Sequence, residues 1–209
     1  KLITCAHFAD LHIRNIIRHK EYSITFSNLF KSLKEHAVDA IFICGDIFHS
    51  KTKLSPESVT LGMSLFKNLE QCSTGPIIII PGNHDLSLGN SDRLDSISPI
   101  IRAVGGKILE LPTNNMLNDN GDKNRIFYLL KSGLYNIYIK NTICKISNFG
   151  ILDEENWKKL NINSDIGLYH GIVKNSITDL GFRFIDSGID VKLFDKCKNV
   201  MLGDVHLFQ

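Results

Sequence analysis

Apolar residues recur along the chain in short unbroken runs, and each run ends in a polar turn. "KLITCA" leads into "HFADLH", "DAIFIC" into "GDIFH", "PIIIIP" into "GNHD", "DIGLYH" into Gly171, and "NVML" into "GDVH". Runs of four to six Ile, Val, Leu or Phe without alternation suit strands covered on both faces. Helical periodicity lies between the first three. From Glu21 to Ala37, the residues Phe26, Leu29, Phe30, Leu33 and Ala37 form one stripe. Ser55 and Pro56 predict a helix start, with Ser55 as N-cap and Pro56 at the first position, followed by the stripe Val59, Met63, Phe66 and Leu69. Strand, helix and strand in alternation predict an α/β architecture. Further on, "RIFYLL", "LYNIYIK" and "TICKIS" stand close together and read as a meander, preceded by a long polar loop, "NNMLNDNGDKN", at 114–124.

Composition bounds this picture. The 209 residues are 43% hydrophobic, enough for one domain with a sizeable core. The net charge of +2 does not announce nucleic acid and leaves room for a local basic face. The five cysteines are widely spaced, with no CxxC. Cys5 and Cys44 lie within apolar runs, as buried thiols do, which predicts a reducing, intracellular compartment rather than secretion. No signal peptide or membrane-length apolar run is visible. The first residue is Lys1, as expected of an excised domain.

The polar turns carry the candidate chemistry. In open α/β sheets, ligands bind beyond the carboxyl ends of the strands. These ends deliver Asp10 and His12; Asp46 and His49; Asn83, His84 and Asp85; His170; and Asp204 and His206. Taken alone, Asp46 suits a turn and His170 suits a hydrogen-bonded core histidine. Together they supply mixed oxygen and imidazole donors, which fit Mn, Fe or Zn better than Ca. Two metals about 3.5–4 Å apart need such a set, with one shared carboxylate.

In this order, "DLH" (10–12), "GD" (45–46), "GNHD" (82–85), His170 and "GDVH" (203–206) resemble the five motif blocks of the calcineurin-like metallophosphoesterases. The resemblance implies that family's fold, an α/β (α+β) sandwich of two mixed sheets flanked by helices. "HFADLHI" and "AIFICGDIFHSKTKLSPES" are similar to the SbcD-like DNA-repair nucleases, the nuclease subunit of the meiotic-recombination complex. "DRLDSISPII" and "LGDVHLFQ" look most like viral and phage members of that branch.

The resemblance implies two divalent ions, Mn(2+) above all. Asp10, His12 and His206 would hold the first, Asn83, His170 and Asp204 the second, and Asp46 would bridge them. His84 would act at the scissile phosphate as a catalytic residue. Asp85 would hold the His84 ring in orientation or cap the following turn, and His49 would be near the site or structural. The last block usually reads GHxH, so Asp204 stands where an imidazole is usual. That predicts a working site with altered metal preference; a weak or empty second site is the other outcome.

The implied function is a metal-dependent DNA exonuclease or endonuclease in repair or recombination. Its implied partners are DNA, an SbcC-like coiled-coil ABC/SMC-type ATPase and a second copy in a homodimer, with no membrane. Arg14, Arg18, His19 and Lys20, then Lys51 and Lys53, cluster near the first two blocks and could contact DNA phosphates; an ordinary solvated face explains them equally. Two other readings stay open: a phosphatase or cyclic-nucleotide or nucleotide phosphodiesterase of the same family, and a DNA-repair scaffold with a weakened site. Family members continue past the last block into a cap, so residues 1–209 are expected to be one catalytic domain, either minimal or truncated before that cap.

Overall fold

The computed structural model describes residues 2–90, 92–110, 116–117, 124–178 and 180–205. Their elements run β1 (Cys5–Phe8), α1 (His19–Glu35), β2 (Ala40–Cys44), α2 (Pro56–Cys72), β3 (Ile77–Ile80), α3 (Ser98–Ala103), β4 (Lys107–Leu109), β5 (Met116–Leu117), β6 (Ile126–Leu129), β7 (Gly133–Ile139), β8 (Thr142–Phe149), β9 (Ser164–His170) and β10 (Cys197–Gly203). Short 3-10 segments at Glu154–Leu160 and Val191–Phe194 flank β9.

The strands form two sheets, ordered β1-β2-β3-β6-β4 and β10-β9-β8-β7-β5. The first is parallel throughout; the second is mixed, with β7 and β8 its antiparallel pair. Neighbouring residues of the unbroken apolar runs serve different layers. Ile41, Ile43, Ile77, Ile79, Ile126 and Tyr128 pack on the helix side, with Leu65, Phe66 and Leu69 of α2. Phe42, Cys44, Ile78, Ile80, Phe127 and Leu129 pack against Tyr135, Ile137, Ile146 and Leu168 of the second sheet. The central strands β2, β3 and β6 are thus buried on both faces, which is why they show no polar alternation. The two sheets flanked by helices match the expected architecture.

Helix α2 begins as predicted: the Ser55 hydroxyl oxygen accepts from the Ser58 amide at 3.2 Å, and Pro56 occupies the first turn. Helix α1 spans His19–Glu35, two residues earlier at each end than the stripe suggested, and Ala37 leaves it with φ 46°. The meander reading needs correction. β7 and β8 form a hairpin, but "RIFYLL" supplies β6, which joins the first sheet beside β3. The reason is burial: β6 is covered on both faces, whereas β7 alternates between buried and half-buried positions. Most of 114–124 lies outside the described residues, although Met116–Leu117 pairs with β7. Helix α3 was not anticipated from the sequence. All five cysteines are free; Cys44 is buried, while Cys5 is only partly covered. Among the described residues no helix is long and apolar enough to cross a membrane.

Candidate metal centre

Asp10 follows β1, Asp46 follows β2, Asn83 follows β3, His170 ends β9 and Asp204 follows β10. Parallel pairing brings the first three ends to one edge, and β9 and β10 bring the other two to the same edge from the second sheet. The turns are then tied to one another, first within the sheet and then between the sheets. The amides of Asp10 and His12 donate to the carbonyls of Gly45 and Asp46 at 3.1 and 2.9 Å. The Asp204 amide donates to both carboxylate oxygens of Asp10 at 3.1 Å. The His170 Nδ1 donates to the Cys44 carbonyl at 2.7 Å, which leaves Nε2 as the ring's lone-pair position once the imidazole is neutral.

That Nε2 lies 3.4 Å from Asp46 Oδ1 and 3.8 Å from Asp204 Oδ1. His12 Nε2 stands 3.6 Å from Asp46 Oδ2. Asp46 is therefore flanked by an imidazole on each side. Ligand atoms of Asp10, Asp46 and His170 lie within 4.8 Å of one another, as do those of His12, His49 and His84. Two buried polar atoms at this edge, Asn83 Oδ1 and His170 Nε2, have no hydrogen-bond partner. Buried polar atoms are ordinarily satisfied, so both fit donors waiting for a cation. His206 lies outside the described residues.

The backbone at the centre is constrained. Asp10, His12, Asp46 and Asp204 all have positive φ, between 46° and 85°. Such conformations cost on the order of 1–3 kcal/mol each in non-glycine residues and cluster at functional sites. Two glycines make the approach of the turns feasible. A Cβ on Gly82 would collide with the Asp46 carboxylate and amide, and one on Gly203 would meet the Cys44 carbonyl and His170 Nδ1.

The electrostatics follow from burial. Burial pushes the Asp46 carboxyl up, but His170 and the His84 amide outweigh it and hold it below the usual carboxylate range. For His170 burial works downward, and the Asp46 carboxylate with the Cys44 carbonyl overcomes it, raising the imidazole to about 9.

Asp85 requires a correction. It does not orient the His84 ring. The His84 Nδ1 instead donates to the His49 carbonyl at 2.9 Å. The Asp85 carboxylate is fully buried and accepts from the amides of Gly82 at 3.0 Å, Phe48 at 3.1 Å and Ile47 at 3.3 Å, with the Ser96 hydroxyl at 3.4 Å. Burial pushes this carboxyl up to about 7, against the pull of the Gly82 and Phe48 amides. His49 is near the site, as expected: its ring stacks on His84 at a 5.6 Å centroid distance and accepts from Arg14 Nη1 at 3.3 Å. The sequence signal for it was the third position after Asp46.

Of the basic residues, Arg14 and Lys51 reach the site, Lys51 through a 3.4 Å bond from Nζ to the Asn83 carbonyl. Arg18 is engaged with Glu21 at the start of α1. Lys20 and Lys53 are exposed on α1 and on the loop before α2.

The calcineurin-like phosphoesterase family matches the chain over residues 3–190, which takes in the first four motif blocks and stops short of Asp204. Over 97% of its length the chain is also 36% identical to a protein of Acanthamoeba polyphaga mimivirus described as "Uncharacterized protein R555", of which it spans 14%. A five-strand-end centre of this kind and a family match over most of its sequence agree, and the chain belongs to the calcineurin-like phosphoesterases, a family of metal-dependent phosphoester hydrolases.

Proposed function

We propose that this domain hydrolyses phosphodiester bonds in DNA, with two divalent ions, Mn(2+) foremost, held by Asp10, His12, Asp46, Asn83, His170, Asp204 and His206. The observation that carries the reading is the convergence of Asp10, Asp46, His170 and Asp204 at one edge, beside the partnerless Asn83 Oδ1. When bound, such ions supply an activated water and neutralise charge gathering on the phosphoryl oxygens.

The chain's own residues do the rest. Asp46, between His12 and His170, would be the ligand shared by two ions. His170, tied through Nδ1 to the Cys44 carbonyl, offers Nε2 in a fixed direction. His84, tied through Nδ1 to the His49 carbonyl, keeps Nε2 for exchanging a proton with the leaving oxygen. The side chains of Asp46 and His170 are 2% and 1% exposed, those of His12 and Asp204 18% and 22%. The centre is thus least buried at His12 and Asp204, where a substrate would enter.

DNA as substrate is supported by Arg14 and Lys51 at that opening and by the similarity of "HFADLHI" to the SbcD-like nucleases. On the same reading an SbcC-like ATPase and a second copy of the domain are its partners.

The test is hydrolysis of end-labelled single- and double-stranded DNA with Mn, Mg or no metal, comparing the wild type with Asp46→Ala. Metal-dependent cleavage that the variant loses is the expected result. Intact DNA under every metal, with bis-p-nitrophenyl phosphate or its monoester still hydrolysed, would assign the domain to another substrate class.

A further inference from the structure

We propose that Asp85 is a positioning residue, whose carboxylate clamps together the two turns that carry Asp46 and Asn83 and fixes their spacing before any ion arrives. The inference rests on the metal-centre reading above and gives Asp85 a task distinct from any contact with substrate.

The geometry is that of a cross-brace. Asp85 Oδ2 accepts from the amides of Gly82 and Ile47, and Oδ1 accepts from Phe48. Gly82 opens the turn of Asn83, while Ile47 and Phe48 directly follow Asp46. One side chain therefore holds both turns through backbone amides 38, 37 and 3 residues away. The brace is closed from the other side, because Asp46 Oδ1 accepts from the His84 amide at 2.9 Å. Asp46 itself sits at φ 53°, a conformation that neighbouring structure must impose. In its ionised form the Asp85 carboxylate is acceptor-only and can take all of these donors at once. An asparagine of the same size would turn an NH2 group toward at least one donor and break the brace on that side.

Partners that orient metal ligands typically change metal affinity by about 10–100-fold when lost. The experiment is calorimetric titration of Mn(2+) into metal-free wild type, Asp85→Asn and Ser96→Ala, well below each melting temperature. Global destabilisation alone leaves affinity unmoved there. Asp85→Asn is expected to keep the far-UV spectrum of the wild type and to bind Mn(2+) about 10–100-fold more weakly. Ser96→Ala, which loses only the longest contact, is expected to stay within a few-fold. Wild-type affinity in Asp85→Asn would overturn the clamp while sparing the metal centre. A wild type that binds no Mn(2+) would overturn the centre and the clamp together.

Amide hydrogen exchange on the wild type gives a second measurement that needs no variant. The amides of Gly82, Ile47 and Phe48 are expected to be protected in the metal-free protein and little changed by Mn(2+). Rapid exchange that slows only on metal addition would show that the ion, not Asp85, sets the turns.

Discussion

Asp46 and Asp85 accept hydrogen bonds from the backbone beside one another: Asp46 takes the His84 amide at 2.9 Å, and Asp85 takes those of Ile47 and Phe48 at 3.3 and 3.1 Å. Both residues are buried, yet only Asp46 lies among the metal-ligand candidates. On the proposed reading, two acids in adjoining turns would be divided between coordination and support.

His84→Asn tests proton transfer separately from metal binding. Turnover is expected to fall by about 10²-fold or more, a usual loss for a general acid or base. Metal content by elemental analysis should stay at the wild-type value, since the His84 ring is held through the His49 carbonyl and not through a ligand. Parallel losses of metal and turnover would instead make His84 a ligand.

The metal-free centre should be sensitive to pH through His170. Its pKa is raised from 6.5 to about 9, so the added stability is complete below 6.5 and disappears as pH rises through about 9. The melting temperature of the metal-free protein should decline across that window. An ion at Nε2 requires the neutral imidazole, so Mn(2+) uptake at pH 7 should release a proton, and apparent affinity should rise by up to about tenfold per pH unit toward 9. Calorimetry in buffers of different ionisation heat reads the proton directly. Identical heats in all buffers would contradict the assignment.

Gly82→Ala should cost about 1–3 kcal/mol, the usual penalty of forced overpacking, because the new methyl meets the Asp46 carboxylate and amide. Denaturant unfolding measures the loss. Mn(2+) affinity should drop with it, whereas Gly89→Ala, where a Cβ meets nothing within 4 Å, should leave both unchanged.

Lys51→Ala should weaken DNA binding across all sequences and reduce the slope of log affinity against log salt by about 1, as expected for one lost phosphate contact. Fluorescence anisotropy at several salt concentrations provides the slope. An unaltered slope would return Lys51 to an ordinary solvated surface.

The convergence at the centre was legible because each candidate stands directly after an apolar run, and parallel runs necessarily bring their ends to one edge. Asp10, Asp46 and Asn83 could be placed together on that ground alone, whereas joining His170 and Asp204 of the second sheet to them rested on the resemblance of the five motif blocks. The work of Asp85 could not, since its donors are backbone amides far along the chain that leave no mark in side-chain type. The sheet to which β6 belongs was hidden for a related reason: a short apolar run declares burial but not which layer buries it. Helix α3 has six residues, too few for periodicity to show, although Asp95, whose carboxylate accepts from the amides of Ile97 and Ser98, was a cue in the sequence before Pro99.

The centre draws Asp10, Asp46 and Asn83 from one sheet and His170 and Asp204 from the other. A pair of cations there would act as a removable rivet between two layers that otherwise meet through Phe42, Ile78, Ile137 and Leu168. The layers' apolar seam then belongs to the tolerance of the catalytic parts. A slip of a fraction of an ångström along it, harmless to a core of oily side chains, would separate the ligands, so this enzyme should lose its metals before it loses its fold.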